Sequence, residues 1–179
     1  GLLGVATGDV AGKGVPAALY AAFASGTIRS RAFERRAPAD LLQRVNRTLR
    51  RKSVEGLFCT VAYALFDFPE RTLRLANSGL PHPLHYRAAE GRASALDVSG
   101  LPLGTFDGVS YDEIAVALGP GDAVVFFSDG LVEARNGWEE YGEQRLLRGL
   151  EVHAALPAPA LGERMLADFE AFLGEESPA

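Results

Sequence analysis

The central part of the chain, between Cys59 and Phe127, consists of short apolar segments separated by tight turns. Five segments have the length and composition of strands: 59–66, 72–76, 83–87, 111–118 and 123–127. A Pro-Glu-Arg turn joins the first two as a hairpin, and the last is a continuous apolar run typical of a central strand. Because the strands follow one another without intervening helices, the sequence predicts antiparallel sheets rather than a doubly wound parallel sheet.

Helices are predicted on both sides of this strand region. Pro16 and Pro38 suit the first turns of two helices, over 15–33 and from residue 38 onward. Two more are predicted near 143–153 and 158–173. With a first strand at 2–7, this order is typical of an α+β domain, and a length of 179 residues fits one domain, 1–179, better than two.

The charge balance and the single cysteine exclude several classes of protein. A formal net charge of −5 and a pI of about 5.2 argue against a nucleic-acid partner, which usually requires a basic patch. No apolar run approaches the length of a membrane span. Cys59 excludes an intrachain disulfide and favours a reducing, cytoplasmic location, and its apolar neighbours predict a core position. A cysteine-based phosphatase would need an arginine six positions on, where Leu65 stands.

The first candidate site is the segment GDVAGKGVPAAL, residues 8–19, at the end of the first strand. A carboxylate among glycines, here Asp9, can present oxygen to a hard cation while backbone carbonyls approach it. The spacing fails the P-loop pattern at two positions. Gly12, Gly14 and Ala17 do satisfy a dinucleotide-binding spacing, but the acid expected about 20 residues on lies at a helix end. A polar strand-to-helix turn without a ligand remains an alternative.

The second candidate site is the segment VVFFSDGLVEARN, residues 124–136, in which an apolar run leads directly into Asp129. A buried, unpaired carboxylate is costly, so Asp129 should have a cation or several hydrogen-bond donors near it. The alternative is an aspartate that caps the following turn through its side chain. We expect Asp9 and Asp129 to be two carboxylates of one divalent-metal site.

Two further turn-rich segments carry no obvious catalytic trio: LANSGLPHPL, residues 75–84, and GLPLG, residues 100–104. His82 and His85 flank the short strand in the first of them and lack a paired metal-ligand spacing, so exposed histidines are expected rather than ligands. The sequence also lacks the Gly-x-Ser-x-Gly turn of serine hydrolases.

Taken together and in this order, the four segments resemble the PPM family of metal-dependent serine/threonine protein phosphatases. Segment 8–19 and the SDGLVEARN part of the second are close to the family's bacterial branch, that of the stage II sporulation E and sigma-B regulator phosphatases. The resemblance covers essentially the whole chain. It implies an antiparallel β-sandwich flanked by helices in α-β-β-α layers.

The resemblance also implies a site with two Mn²⁺ or Mg²⁺ ions. In it Asp9 bridges the ions, the Val10 carbonyl binds one, Asp129 binds the other, and an activated water attacks phosphorus in line. The implied substrate is a phosphoserine or phosphothreonine on a regulatory protein, such as an anti-sigma-factor antagonist. An upstream sensory domain and a homodimer are also compatible with this branch.

The chain departs from the family pattern at both ends. The family's upstream Gly-Gly-Asp segment and its closing Asp-Asp pair are not found, so we expect a domain without its terminal strands and a weak metal site in this chain alone. Glu175 and Glu176 are expected to be tail residues rather than substitute ligands. Leu80 stands where many members have histidine. A metal-poor pseudophosphatase acting as a binding module, and a nucleotide-binding α/β enzyme, remain alternatives.

Overall fold

The computed structural model describes residues 1–34, 37–52 and 54–174. The elements in chain order are β1 (Leu2–Val10), α1 (Gly14–Ala32), α2 (Pro38–Arg50), β2 (Cys59–Asp67), β3 (Thr72–Asn77), β4 (Leu84–Arg87), β5 (Arg92–Ala95), β6 (Ile114–Ala117), β7 (Ala123–Val125), α3 (Asp129–Val132), β8 (Arg135–Asn136), β9 (Glu139–Glu140), α4 (Gly142–His153) and α5 (Ala158–Leu173). Contacts divide the chain into two units: one holds 1–82 and 97–117, the other 83–96 and the chain from 118 onward.

The first unit is built on a four-stranded antiparallel sheet in the order β1-β2-β3-β6. Strand β1 pairs with β2 along its whole length, from Leu2 opposite Asp67 to Val10 opposite Cys59. Helices α1 and α2 pack against this sheet. The apolar spacing of α2 buries Leu41, Leu42, Val45 and Leu49 in one core with residues of α1 and β2.

The second unit holds a three-stranded antiparallel sheet in the order β5-β4-β7, together with α4, α5 and the β8–β9 hairpin. Strands β4 and β5 are joined by the turn predicted around Glu90-Gly91. Helices α4 and α5 contribute the apolar residues of a second core, which contains Leu84, Phe127, Tyr141, Leu146, Leu150, Leu161 and Met165.

The predicted α+β class with antiparallel sheets and flanking helices is confirmed, whereas three predicted strands need correction and some elements were not predicted. Strand β1 continues to Val10, so Asp9 lies within the strand rather than after it. Strand β6 covers only 114–117 of the predicted 111–118. Strand β7 ends at Val125 and pairs only with β4 among the described residues, so it is an edge strand rather than a central one. Strand β5 and the short helix α3 were not predicted.

Two other expectations concern the ends of the chain and the membrane. Glu175 and Glu176 lie outside the described residues. Among the described residues, no helix combines the length and the apolar character needed to cross a bilayer. That one domain spans 1–179 stays a prediction.

Candidate metal centre

Asp9 lies near the carboxyl end of β1, opposite Thr60 of β2. Its side chain is exposed, and its Oδ1 accepts a hydrogen bond from the backbone N–H of Val10 at 2.8 Å. Among the described residues, β1 is the edge strand of its sheet. The carboxylate therefore stands at an open sheet edge.

The backbone carbonyl of Val10 also points away from the sheet. Val10 lies opposite Cys59, and the N–H and C=O of Cys59 both bond to Leu103 on the far side of β2. In an antiparallel pair, residues opposite each other either exchange both backbone hydrogen bonds or turn both groups away from each other. Because the N–H and C=O of Cys59 point toward Leu103, the N–H and C=O of Val10 point away from β2. The carbonyl of Val10 is thus presented on the same open edge as the Asp9 carboxylate.

Two glycines beside Asp9 are required by close packing. A Cβ at Gly8 would lie 2.9 Å from the carbonyl oxygen of Thr60. A Cβ at Gly12 would lie 2.8 Å from Cδ2 of Leu57, and Gly12 has a φ of 115°, which favours glycine. In the glycine spacing that resembles a nucleotide-binding fingerprint, Gly12 is explained by this packing and Gly14 by its φ of 71°, and the sheet that follows is antiparallel.

A cavity of about 570 Å³ lies between α1 and β1 and reaches Asp9 and Val10. It is open because both walls carry small residues, among them Gly4 and Ala6 of β1 and Ala21 and Ala24 of α1. Its remaining lining includes Thr7. The Asp9 end of β1 therefore borders a recess, not a flat surface.

Asp129 is the first residue of α3, in the second unit, and its side chain is exposed. Its Oδ1 accepts a hydrogen bond from the N–H of Gly130 at 2.8 Å. The expected burial of this carboxylate is wrong, because the strand before it ends at Val125 and the apolar run turns before reaching it. The contact to the next residue is the same as the one between Asp9 and Val10.

The donors around Asp9 fit a hard divalent cation, since a carboxylate and an outward-facing carbonyl are the oxygen ligands that Mg²⁺ and Mn²⁺ prefer. The structure brings Asp9 and Val10 together, whereas Asp129 belongs to the other unit. Among the described residues, no group of three or more His, Cys, Asp or Glu side chains is arranged to hold a metal. That Asp9 and Asp129 share one site stays a prediction.

The loop at 77–80 is held by its own polar side chains. Asn77 Oδ1 accepts hydrogen bonds from the N–H groups of Gly79 and Leu80, and its Nδ2 donates to the Leu80 carbonyl. The hydroxyl of buried Ser78 accepts from the N–H of Val61 at 2.8 Å and donates to the Val61 carbonyl at 3.0 Å. This motif thus continues the pairing of β2 and β3 past the end of β3.

Asn46 and His85 are buried polar residues whose burial was not predicted from the sequence. Asn46 of α2 is 1% exposed and bonds to the 100–106 loop. The sequence could have indicated the burial of Asn46, because it is a polar residue among the apolar positions of a helix. His85 was expected to be exposed, yet it is completely buried against Asp122, because it lies on β4, the middle strand of its sheet. His82 is partly exposed and bonds to Ser99.

Comparison with known proteins gives consistent results. The stage II sporulation protein E (SpoIIE) family matches residues 1–179. The phosphoserine phosphatase RsbU of Bacillus subtilis is 29% identical over 140 residues, which are 77% of this chain and 42% of that protein. This chain therefore spans less than half the length of that curated relative.

Solved structures show the same architecture. The SiaA-PP2C domain of Pseudomonas aeruginosa superposes with a TM-score of 0.81 at 26% identity, over 97% of this chain and 69% of that one. The RsbU and RsbW domains of a Mycobacterium tuberculosis protein superpose with a TM-score of 0.75 at 25% identity, over 96% of this chain and 47% of that one.

The antiparallel sheets with their helices, the Asp9 motif and these similarities define a PPM-type phosphatase fold, also called PP2C. Within this class, the chain belongs to the stage II sporulation protein E family, because that family matches its whole length. The resemblance drawn from the four sequence segments is confirmed.

Proposed function

We propose that this chain is the catalytic part of a metal-dependent protein phosphatase that removes phosphate from phosphoserine or phosphothreonine of a regulatory protein. The phosphoserine part of the proposal is supported by the relative RsbU, which is named as a phosphoserine phosphatase, and an anti-sigma-factor antagonist is the substrate class that the family resemblance implies. The proposal is carried by one observation: an exposed carboxylate, Asp9, and an outward-facing carbonyl, Val10, stand side by side at an open sheet edge.

Each residue of the site would have a defined task. Asp9 would bridge two Mn²⁺ or Mg²⁺ ions, Val10 would offer its carbonyl to one of them, and Asp129 would offer its carboxylate to the other. When bound, such ions supply positive charge to phosphate oxygens and lower the pKa of a water molecule. Glycine at positions 8 and 12 lets the backbone beside Asp9 pack closely against Thr60 and Leu57, which holds this edge in place.

The state of Cys59 supports water-based hydrolysis rather than a cysteine phosphoenzyme. Cys59, the only cysteine, is buried, and burial raises its pKa to about 12, so it holds its proton at neutral pH. Its Sγ is therefore unsuited to attack on phosphorus.

The decisive experiment measures phosphate release from a phosphoserine protein and from p-nitrophenyl phosphate by full-length protein with Mn²⁺. Asp9→Asn should abolish the activity, because a neutral amide cannot balance two cations. The matched control is Asp112→Asn, which makes the same charge change at an exposed carboxylate of the same unit. Activity that survives in Asp9→Asn would remove Asp9 from its role.

A shared site for Asp9 and Asp129 has its own test. If both carboxylates serve one centre, the double variant should lose no more activity than either single variant, because groups that act as a unit are not additive. If the fold-loss of activity in the double variant equals the product of the two single losses, Asp9 and Asp129 do not serve one centre. If full-length protein with Mn²⁺ releases no phosphate from either substrate, the pseudophosphatase alternative replaces the proposal.

A further inference from the structure

We propose that Asn46 is a positioning residue for the candidate metal centre, acting through the backbone of the 103–106 segment on the start of β2 and so on Val10. The inference rests on the proposed function, since it concerns the same site. It assigns a role to a helix residue that carries no metal ligand itself.

Asn46 is the polar member of an otherwise apolar helix face. It is 1% exposed, and it lies beside Val45 and one turn before Leu49, both completely buried. Its amide uses both ends: Oδ1 accepts from the N–H of Gly104 at 2.8 Å, and Nδ2 donates to the carbonyl of Phe106 at 2.9 Å. A buried amide satisfied at both ends fixes its partners in one arrangement.

The segment that Asn46 holds is bonded directly to the start of β2. Leu103 donates its N–H to the Cys59 carbonyl at 2.7 Å and accepts from the Cys59 N–H at 3.2 Å. On the other side of Cys59 lies Val10, its partner in β1. Cys59 is therefore enclosed between Leu103 and Val10, and the next link, from the Ala11 N–H to the Phe58 carbonyl at 3.0 Å, closes the pairing on the β1 side.

The fit around Gly104 leaves little freedom. Gly104 has a φ of 86°, and a Cβ there would lie 2.3 Å from the hydroxyl oxygen of Tyr20 on α1 and 3.6 Å from Cβ of Leu49 on α2. Both helices thus border the residue whose N–H Asn46 accepts. Loss of the Asn46 amide would leave the Gly104 N–H unpaired inside this packing and would remove the hydrogen bond to the Phe106 carbonyl.

A carbonyl ligand is useful only when its backbone is held in place, and residues behind a ligand commonly tune metal affinity by about tenfold or more. Asn46 does not contact Val10 directly. Two backbone pairings connect the segment that it holds to Val10: Leu103 with Cys59, and Cys59 with Val10. The Val10 carbonyl should therefore lose its fixed position when the Leu103–Cys59 pairing loosens, although no ligand has been removed.

The test compares Asn46→Ala with Val45→Ala in full-length protein. Val45 neighbours Asn46 on α2 and is completely buried, but it makes no polar contact with the loop, so its variant controls for loss of core packing. Asn46→Asp keeps the acceptor for the Gly104 N–H and loses the donor to Phe106. Two readouts are taken on each: amide hydrogen exchange at Leu103 and Gly104, and the affinity for Mn²⁺ by calorimetry.

We expect Asn46→Ala to speed exchange at Leu103 and Gly104 and to weaken Mn²⁺ binding by about tenfold, with Val45→Ala within about twofold of the unaltered protein. Asn46→Asp should recover protection at Gly104. Equal Mn²⁺ affinities for Asn46→Ala and Val45→Ala, or unchanged exchange at both amides, would overturn this inference alone. If the unaltered protein binds no Mn²⁺, the proposed function and this inference fall together.

Discussion

The imidazole of His85 lies 2.9 Å from the carboxylate of Asp122, with Nε2 facing Oδ2, and the histidine is completely buried. Because a carboxylate only accepts, Nε2 carries the proton in this pair. Asp122 also accepts from the N–H of Gly119 at 3.0 Å and from the N–H of Ala88 at 2.9 Å. One carboxylate thus ties the turn before β7 to β4 and to the chain that follows β4.

The first prediction concerns the stability that Asp122 supplies. Asp122→Ala removes three accepted hydrogen bonds and leaves His85 without its partner, so the free energy of unfolding should fall by about 3 kcal/mol. Urea denaturation followed by circular dichroism measures the change. Asp97→Ala is the control, because that carboxylate is 88% exposed and lies 3.7 Å from His82 at the surface. Equal effects of the two substitutions would contradict the role given to Asp122.

The second prediction is the pH dependence of the same contact. Burial alone would raise the pKa of the Asp122 carboxyl, but the hydrogen bonds from Gly119, Ala88 and His85 outweigh it, and the pKa is lowered. A carboxyl with a lowered folded pKa adds stability above its unfolded pKa, about 3.9, and loses it as the pH falls through the folded value.

The difference in unfolding free energy between the unaltered protein and Asp122→Asn should therefore shrink as the pH falls below about pH 4. Urea titrations of both proteins at each pH measure it. A difference that grows on acidification would mean that the folded pKa is raised instead.

The helices and most strands could be predicted from the sequence because their periodicity is local. Helix α2 begins at Pro38, as predicted, and its apolar positions are the buried ones. Strand β5 was missed because RASA, residues 92–95, is short and its two apolar residues are alanines, which are depleted in strands. It forms a strand through pairing with β4. Strand β7 was predicted to be central because a continuous apolar run does not show whether a strand pairs with one neighbour or with two.

The site could be predicted in part. Asp9 and Val10 follow from the motif, and the structure adds that the carbonyl faces outward, a consequence of the Cys59–Leu103 pairing across 44 positions of sequence. No local pattern encodes that pairing. The burial of His85 likewise depends on β4 lying between β5 and β7, which the spacing of His82 and His85 does not reveal.

The third prediction tests the packing at Gly104. Gly104→Ala would combine a positive φ of 86° with a 2.3 Å contact to the Tyr20 hydroxyl, so we expect a loss of about 3 kcal/mol. Gly108→Ala is the matched control, because its φ is 69° and a Cβ there meets nothing within 4 Å, so it should cost about 1 kcal/mol. Thermal and urea unfolding measure both.

A double variant separates the clash from the backbone strain. The Tyr20 hydroxyl has no hydrogen-bond partner among the described residues, so Tyr20→Phe alone should cost little. Combined with Gly104→Ala, it should recover the part of the loss that comes from the close contact. No recovery would assign the whole effect to backbone strain at residue 104.

The fourth prediction concerns the Ser78 hydroxyl, which pairs with both backbone groups of Val61. Ser78→Ala should lower the free energy of unfolding by about 1–3 kcal/mol, because a buried N–H loses its acceptor. Ser30→Ala removes a hydroxyl that bonds only to the Thr27 carbonyl within α1, and it should cost less than about 1 kcal/mol. Hydrogen exchange at Val61 should accelerate in Ser78→Ala and remain unchanged in Ser30→Ala.

The fifth prediction is the chemical inertness of Cys59 in the folded protein. The side chain is 1% exposed, and burial raises its pKa to about 12, so at pH 8 only about one molecule in ten thousand carries the thiolate. Labelling by a thiol-specific disulfide reagent should therefore be slow in buffer and complete within minutes in concentrated urea, where the pKa returns to its ordinary value. Since Cys59 is the single cysteine, the native labelling rate also reports how often the core between β2 and α2 opens. Fast labelling without urea would mean that the start of β2, and with it the backbone behind Val10, is not held as the Leu103–Cys59 pairing requires.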